Sequence, residues 1–406
     1  MENFSIYTTT AFFLLSLVLV LGLTPWVIKL ANKFKVVSVP DSRRKHSRVT
    51  PLMGGIAVYF SLMVITLFGF YLTHDFYFRK HLTYFFISSA MIFALGIWDD
   101  VRHLKAIPKF LFELFVISVF LYGIQDLITD IGFSFFVNFL VFFCVGFFIL
   151  AATNAMNLID GMDGLCSGNA LISGASLVII SFLSMQELTF ASLLGPAISG
   201  ACLGFLYYNK NPAKIFLGDS GSLTLGFFLS SLGIELGLRS ESSLAMIIPA
   251  LVLGLPLLDV AVVVSIRIRN NHPVFLGDRN HLHHRLLKLG LSVQKVLIIL
   301  LFVSVYFNLL ALQLIASPEV RIFALTFSGL IVIFLGLTLL RYAESKLHQE
   351  KAKLTKSFDD IFDNSSLSLK RNTEDDSIHV QLPMSAKYSE KSNSLKTPFS
   401  SHPYRG

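Results

Sequence analysis

Charged residues are scarce in this sequence, and their scarcity excludes a soluble globular protein. Asp, Glu, Lys and Arg make up 15% of the 406 residues, against 54% apolar residues, whereas soluble domains average about 25% charged. Cysteine is also rare: Cys144, Cys166 and Cys202 stand far apart, without a C-x-x-C pair, and are interpreted as small buried apolar residues. The net charge of +7 is attributed to basic loops facing anionic lipid, not to a nucleic-acid partner.

Long apolar runs fill most of the first 340 residues, and mean hydropathy is +0.67. A helix of about 20 apolar residues crosses a bilayer core, and its backbone groups are hydrogen-bonded internally. The sequence therefore predicts an all-α, polytopic membrane protein with about eleven transmembrane helices. The first run lacks the basic flank and A-x-A-like end of a signal peptide and is expected to stay as a span. The predicted spans lie near residues 10–31, 52–72, 82–98, 107–123, 133–153, 167–185, 190–208, 220–238, 244–265, 294–315 and 320–340.

Basic residues divide unevenly between the two sets of connections. One set carries sixteen Lys and Arg residues, and the other carries four: Arg79, Lys80, Arg239 and Arg321. The positive-inside rule places the richer set and the C-terminus in the cytoplasm and the N-terminus outside. Residues 1–340 are predicted to form a transmembrane catalytic domain in the cell inner membrane. Residues 341–406 are polar and of mixed charge, and are predicted to form a largely disordered cytoplasmic tail.

The stretch Asn154–Gly168, NAMNLIDGMDGLCSG, places amides and carboxylates between two apolar runs. Asn154, Asn157, Asp160 and Asp163 recur every third residue, so a continuous helix would carry them on one face. Carboxylates at a bilayer edge are costly and indicate function.

An acidic pair, Asp99 and Asp100, ends the third predicted span. Adjacent carboxylates raise each other's pKa unless a cation lies near them, and Mg²⁺ prefers oxygen ligands. A solvated helix end, paired with Arg102 and Lys105, is the alternative.

Three further connections on the same side are rich in polar residues. The first, PDSRRKHSRVTPLMGG, contains Arg43, Lys45 and His46 before a glycine pair that would suit anion binding; a loop that only sets topology is the alternative. The second, NKNPAKIFLGDSGS, lacks the G-K-[ST] ending of a P-loop but can form a turn into a helix N-terminus that favours phosphate. Its candidates are Asn209, Lys214, Phe216 and Asp219; packing and base stacking are equally open for Phe216.

The last connection contains a histidine cluster. In NHPVFLGDRNHLHHRLLKLG, the residues His281, His283 and His284 follow Arg279. A zinc site and a plain basic loop are alternatives, but phosphate binding is favoured because the other connections indicate an anionic substrate. Carboxylates and cations converging at a membrane face suggest phosphoryl transfer, in which a divalent metal neutralises a diphosphate and a lipid phosphate attacks it.

At these motifs the chain resembles the polyprenyl-phosphate N-acetylhexosamine-1-phosphate transferase family. RRKHSRVTPLMGG, the Asp99–Asp100 pair, NAMNLIDGMDGL, NPAKIFLGDSGS and NHLHHRLL occur in the family's order over about residues 40–290. The resemblance implies transfer of a sugar 1-phosphate from a UDP-sugar to a polyprenyl phosphate, with Mg²⁺, or alternatively Mn²⁺, and release of UMP. The sequence does not give the oligomeric state, and a homodimer stays open.

The resemblance also implies residue roles. It makes Asp219 the direct metal ligand, aided by Asp99 and Asp100. The implied catalytic residues are Asp99, Asp100, Asp160, Asp163 and His281. The implied substrate-binding residues are Arg43, Lys45, His46, Asn157, Asn209, Lys214, Phe216, Arg279, His283 and His284.

Within the family, the interrupted run His281–Leu282–His283–His284 resembles the branch that uses UDP-N-acetylglucosamine and undecaprenyl phosphate to start O-antigen and related surface polysaccharides. The alternative is the phospho-N-acetylmuramoyl-pentapeptide transferase branch of peptidoglycan synthesis, which has three consecutive histidines. A membrane transporter and an inactive assembly scaffold are alternatives of other classes. A transporter would place its ionisable residues near the bilayer midplane, whereas the predicted carboxylates cluster at the cytoplasmic ends and span centres such as Val141–Leu150 carry no charge.

Overall fold

The computed structural model describes residues 6–38, 49–129, 134–184, 188–240, 243–271 and 281–316, scattered positions from 329 to 355, and two short strands beyond them. It confirms an all-α membrane architecture. The helices are α1 (Ile6–Lys33), α2 (Gly55–Leu72), α3 (Phe76–Arg102), α4 (Ala106–Gly123), α5 (Gln125–Thr129), α6 (Phe135–Ile159), α7 (Leu165–Ser184), α8 (Phe190–Asn209), α9 (Gly218–Arg239), α10 (Ile248–Val252), α11 (Gly254–Arg269), α12 (Leu282–Lys288) and α13 (Val293–Ala316), with a 3-10 turn at Ser243–Ile247.

Two units are distinguished, Met1–Leu335 and Gly336–Gly406. In the first, the strands β1 (Val37–Ser38) and β2 (Thr50–Pro51) form a short antiparallel pair between α1 and α2. In the second, β3 (Ser368–Arg371) and β4 (Ile378–Gln381) form an antiparallel hairpin. Most of the remaining predicted tail lies outside the described residues, so its disorder stays a prediction.

Within the described residues, nine helices are long and apolar enough to cross a membrane: α1 to α4, α6 to α9, and α13. The predicted span at 244–265 is not one straight helix, because the helical segment Leu244–Val252 and α11 meet at 77°. Pro249 lies just before the break, and Gly254 lies directly against the ring of Phe307, where a β-carbon would overlap it. The predicted span at 320–340 falls almost entirely outside the described residues.

Helix α9 forms the centre of the bundle and packs against α2, α3, α6 and α8. Its side chains from Ser220 to Gly237 are buried, and many of them are Gly or Ser, which let neighbouring backbones approach closely. A β-carbon on Gly226 would lie 2.7 Å from the Cα of Thr153 in α6, and one on Gly96 of α3 would lie 2.5 Å from the Cα of Ser220. This packing fixes the ends of α3 and α6 beside the start of α9.

Two helix boundaries differ from the predicted ones, and both lie at the end of the bundle that carries the predicted carboxylates. Helix α3 continues four residues past the predicted limit of 98, so Asp99 and Asp100 are helical, and it ends at His103 in a left-handed conformation (φ 51°). Helix α6 ends at Ile159, and α7 begins at Leu165 after a turn. The condition for one continuous face from 154 to 163 is therefore not met: the helix is capped at Asp160, and Gly164 in the following turn has a φ of +76°, which glycine adopts readily.

Candidate functional site

A lysine joins two of the predicted carboxylates. The Lys109 Nζ lies 2.7 Å from Asp99 Oδ2 and 2.7 Å from Asp219 Oδ2. Lys109 lies in the first turn of α4, which follows the sharp connection after α3, where the Leu104 amide donates to Asp99 Oδ1 at 2.7 Å. The side chain of Asp219 is 34% exposed, against 10% for Asp99. Asp219 is thus the more accessible carboxylate of the pair.

Asp100 faces the start of α9 instead. Its Oδ1 accepts a hydrogen bond from the Asp219 amide at 2.7 Å, and its Oδ2 accepts one from the Ser220 amide at 3.1 Å. A helix N-terminus favours a carboxylate through its free amides and its dipole. Asp100 therefore positions the backbone that carries Asp219, and its predicted role as a metal ligand stays untested with both oxygens engaged in this way.

Two asparagines of α6 form two layers one turn apart. Near the helix end, Asn157 donates through Nδ2 to Asp219 Oδ1 at 3.0 Å and to Ser222 Oγ at 2.9 Å. Deeper in the bundle, Asn154 donates through Nδ2 to Glu113 Oε2 at 2.6 Å. The predicted amides are thus brought to the predicted carboxylate Asp219 and to a glutamate of α4 that the sequence interpretation did not single out.

The turn between α6 and α7 carries Asp160 and Asp163. The Asp163 Oδ2 accepts hydrogen bonds from Asn211 Nδ2 at 2.9 Å and from the Ala213 amide at 3.1 Å, which ties the turn to the loop after α8. Asp160 is half-buried and meets no hydrogen-bond donor for its carboxylate among the described residues. Burial, followed by the negative charges of Asp219, Asp100 and Asp163, raises the pKa of Asp160 well above its usual range.

The end of α8 and the loop after it hold three of the predicted substrate-binding residues, Asn209, Lys214 and Phe216. Asn209 is buried: its Oδ1 accepts from the Gly164 amide and from Ser167 Oγ, both at 3.0 Å, while its Nδ2 donates to the Ile215 carbonyl at 2.9 Å. All its polar atoms are therefore used inside the protein, and substrate contact through Asn209 stays a prediction.

Phe216 and Lys214 lie further along this loop. The Phe216 amide donates to the Pro51 carbonyl at 2.9 Å, and the Gly54 amide donates to the Phe216 carbonyl at 3.0 Å. This backbone pairing brings the glycine pair at the start of α2 beside the N-terminus of α9. The Lys214 ammonium is exposed and lies 5.5 Å from the ring centroid of Tyr207.

The histidine cluster begins at the start of α12. His281 Nδ1 lies 2.6 Å from Asp259 Oδ2, and Asp259 Oδ1 accepts from the Leu282 amide at 2.6 Å. The ring of His283 is buried, and its Nε2 has no hydrogen-bond partner among the described residues and approaches Gly161. Burial, and then the charge of His284, lowers the pKa of His283 to about 4, so the ring is neutral at pH 7. The cluster therefore lies next to the α6–α7 turn.

Four predicted residues lie outside the described residues. They are Arg43, Lys45, His46 and Arg279. Their flanking segments, β1–β2 and the start of α12, lie at the same end of the bundle as Asp219. Substrate binding by these four residues stays a prediction.

The chemistry of the donors fits a divalent cation. Asp99, Asp160 and Asp219 supply oxygen ligands of the kind Mg²⁺ takes, and an ammonium already stands as a cation between two of them. Within the described part of the chain, no three carboxylate, imidazole or thiol groups are close enough to ligate one ion as they stand. A metal between Asp99 and Asp219 would therefore have to displace Lys109.

Comparisons with known proteins identify the family of this chain. The profile of glycosyl transferase family 4 matches residues 82–237. The chain is 34% identical over 307 residues to a probable undecaprenyl-phosphate N-acetylglucosaminyl 1-phosphate transferase of Bacillus subtilis, an alignment that covers 74% of this chain and 84% of the relative. This chain belongs to glycosyl transferase family 4. It is a multi-pass membrane enzyme that transfers a sugar phosphate.

Two other relatives mark the range of the family. A decaprenyl-phosphate N-acetylglucosaminephosphotransferase of Mycobacterium leprae is 30% identical over 305 residues, covering 67% of this chain and 75% of the relative. A phospho-N-acetylmuramoyl-pentapeptide-transferase of Nitratiruptor is 27% identical over 332 residues, covering 74% and 90%. The family profile runs from within α3 to within α9 and so contains Asp99, Lys109 and Asp219.

Sequence reasoning missed three residues that the structure places at or beside the site. Lys109 was not singled out among the basic residues, and Glu113 and Asp259 lie inside the predicted apolar spans 107–123 and 244–265. A charged residue within an apolar run is costly unless it has a partner, and that signal was available for Glu113 and Asp259 in the sequence. Their partners, Asn154 and His281, become visible only when the helices are packed.

Proposed function

We propose that this enzyme transfers N-acetylglucosamine 1-phosphate from UDP-N-acetylglucosamine to undecaprenyl phosphate, releases UMP and starts a lipid-linked surface polysaccharide. The observation that carries the proposal is the group formed by Asp99, Lys109 and Asp219 at the N-terminus of α9. Such a group suits a diphosphate and its counter-ion. The names of the relatives from Bacillus subtilis and Mycobacterium leprae support the donor sugar and the polyprenyl acceptor.

In the proposed reaction, a lipid phosphate oxygen attacks the phosphorus that bears the sugar. A new P–O bond forms, the P–O bond to the uridine-bearing phosphate breaks, and UMP leaves with the bridging oxygen. The second pKa of a phosphate monoester is about 6, so the attacking phosphate is already largely dianionic at neutral pH and needs no protein base. The main task of the residues is therefore positioning and charge stabilisation.

Mg²⁺ would supply the neutralising charge on the diphosphate, and Asp219, with Asp99, would hold it. Without the metal, the Lys109 ammonium supplies a positive charge between the same two carboxylates. Asn157 fixes the direction of the Asp219 carboxylate. The backbone contact from Asp100 keeps the N-terminus of α9 directed at this point. His281, oriented by Asp259, lies at the start of α12 and is assigned to the sugar or diphosphate.

The helix ends support a position of the proposed site at the edge of the bilayer. The C-terminal ends of α3 and α6 and the N-terminal ends of α4 and α9 meet where the polar residues lie, so a lipid acceptor can present its phosphate at the bilayer edge. The excess of basic residues in the connections at this end supports a site facing the cytoplasm of an inner membrane. The same clustering at one end disfavours a midplane transport site.

Phospho-N-acetylmuramoyl-pentapeptide transfer is the second candidate, favoured by the relative from Nitratiruptor, of which 90% is covered. The lower identity of 27% and the leucine at position 282 favour the N-acetylglucosamine donor. Both donors should be offered separately to detergent-purified protein with undecaprenyl phosphate and Mg²⁺, and UMP release measured with a chelator control. UMP from the muramoyl-pentapeptide donor alone would refute the proposed donor.

A pair of isosteric variants tests the site. Asp219→Asn should abolish UMP release because it removes the accessible carboxylate of the group. Asp75→Asn is the matched control: Asp75 caps the other end of α3 by accepting from the Phe78 amide, and Asn caps equally well. Full activity in Asp219→Asn, or equal loss in both variants, would contradict the assignment.

A further inference from the structure

Glu113 is a buried carboxylate with one oxygen unused. Glu113 belongs to α4 and is 1% exposed. Oε2 accepts the hydrogen bond from Asn154 at 2.6 Å, while Oε1 is buried with no hydrogen-bond partner among the described residues. A buried carboxylate oxygen without a donor is costly to the fold. The structure as it stands gives no stabilising reason for this cost.

The lysine of the same helix is Lys109. It lies four residues before Glu113, and side chains at this spacing are neighbours on one helix face. Glu113 is within the electrostatic reach of Lys109, Asp99 and Asp219. An ammonium that left the carboxylates above would thus find the free Oε1 of Glu113 one turn deeper in the bundle.

A divalent metal ion held by Asp99 and Asp219 would compete with the Lys109 ammonium for the same position. The Lys109 ammonium fills the space between Asp99 and Asp219, 2.7 Å from an oxygen of each. A dication bound by the same two carboxylates would meet this ammonium at close range, where repulsion in a low-dielectric site is strong. One of the two cations must leave, and a buried ammonium without a partner is itself strongly destabilising.

We propose that Glu113 is the second acceptor for Lys109: when a divalent cation binds Asp219 and Asp99, the ammonium moves one helical turn and pairs with Glu113 Oε1. Asn154 holds the other oxygen and so keeps Oε1 directed at the lysine. Glu113 is then a positioning residue, which acts on the metal through Lys109. The inference rests on the metal dependence in the proposed function.

Direct metal binding tests the exchange without turnover. Mn²⁺ is titrated into the full-length, detergent-purified protein without substrates, and free Mn²⁺ is followed by electron paramagnetic resonance. Glu113→Gln should weaken Mn²⁺ binding about tenfold, because the amide removes the charge that stabilises the displaced ammonium. Lys109→Met should bind Mn²⁺ more tightly than the wild type, because the competing cation is gone.

A double-mutant cycle separates this role from a structural one. In the Lys109→Met background, Glu113→Gln should leave Mn²⁺ affinity unchanged, since no ammonium needs an acceptor. Equal weakening in both backgrounds, or no weakening in either, would overturn the exchange. Glu113→Asp keeps the charge and should stay within a few-fold of the wild type.

The remaining outcomes are also decisive. Should Glu113→Gln not fold, a Lys109→Met protein that binds Mn²⁺ no more tightly than wild type refutes the competition on which the exchange depends. Wild-type protein that binds no Mn²⁺ overturns the exchange together with the metal assignment. Wild-type binding with metal-dependent UMP release, but without the cycle's coupling, overturns the exchange alone and leaves the proposed function intact.

Discussion

A single methyl group at Gly218 should displace the contact that orients the site. Gly218 has a φ of +74°, and a β-carbon added there would lie 2.7 Å from both carboxylate oxygens of Asp100. Those oxygens accept the amide hydrogens of Asp219 and Ser220. Gly218→Ala therefore has to push the Asp100 carboxylate away from the N-terminus of α9.

The expected cost has two parts. A left-handed conformation costs an L-residue about 1–2 kcal/mol, and losing a helix cap costs about 1 kcal/mol more. Gly290→Ala is the matched control, because Gly290 has a φ of +84° with nothing within 4 Å of the added carbon. It should show the first cost alone, so the difference between the two variants, about 1 kcal/mol, measures the displaced cap.

Activity should separate the two variants further. A shift of about 1 Å at a reacting group can lower turnover about a hundredfold, so Gly218→Ala should lose UMP release to that extent while Gly290→Ala keeps it. Thermal unfolding in detergent and UMP release are measured on both proteins. If the two variants lose equal stability and both keep turnover, Asp100 does not orient Asp219.

Three further predictions concern other residues. Burial would raise the pKa of Asp126, but the hydrogen bond and charge of His81 outweigh it and lower this pKa. The resulting stabilisation of the fold is present above the unfolded value of about 3.9 and is lost as pH falls through the lower folded value. Asp126→Asn should therefore flatten the acid side of a plot of Tm against pH, and an unchanged plot would contradict this. Burial and then the charge of His284 lower the pKa of His283 to about 4. The neutral ring is therefore fully compatible with the fold above the unfolded value of about 6.5, and the stability of the fold decreases as pH falls from there toward 4. Ring ¹⁵N shifts, assigned with His283→Gln, should change near pH 4 and not near 6.5. Asn209→Ala removes three buried hydrogen bonds and should lower the free energy of unfolding by about 2–3 kcal/mol; a chemical denaturation midpoint equal to wild type would refute that structural role.

The fold class was predictable because the bilayer restricts the choices. A backbone in lipid must satisfy its own hydrogen bonds, so apolar runs of sufficient length can be read as helices. The break between Leu253 and Gly254 was not predicted, since hydropathy stays high across it. It depends on a close approach of Phe307 from α13, and such a contact leaves no periodic pattern in the sequence.

The carboxylates of the candidate site were predictable for a similar reason. A charged group at a membrane boundary is costly, so Asp99, Asp100 and Asp219 stood out from their apolar surroundings. The different roles of these three carboxylates were not predictable. It depends on which neighbour each carboxylate meets, and Lys109 and the amides of α9 are brought there by helix packing alone.

The acidic pair shows why neighbours in sequence do not form one ligand set here. Consecutive residues of a helix point about 100° apart, and Asp99 and Asp100 lie within α3, not in a loop. Asp99 consequently faces α4 and its lysine, whereas Asp100 faces the first amides of α9. One carboxylate balances charge at the site, and the other holds the backbone of Asp219. Because α3 carries both, any movement of its C-terminal end would change the charge at the site and the direction of Asp219 together.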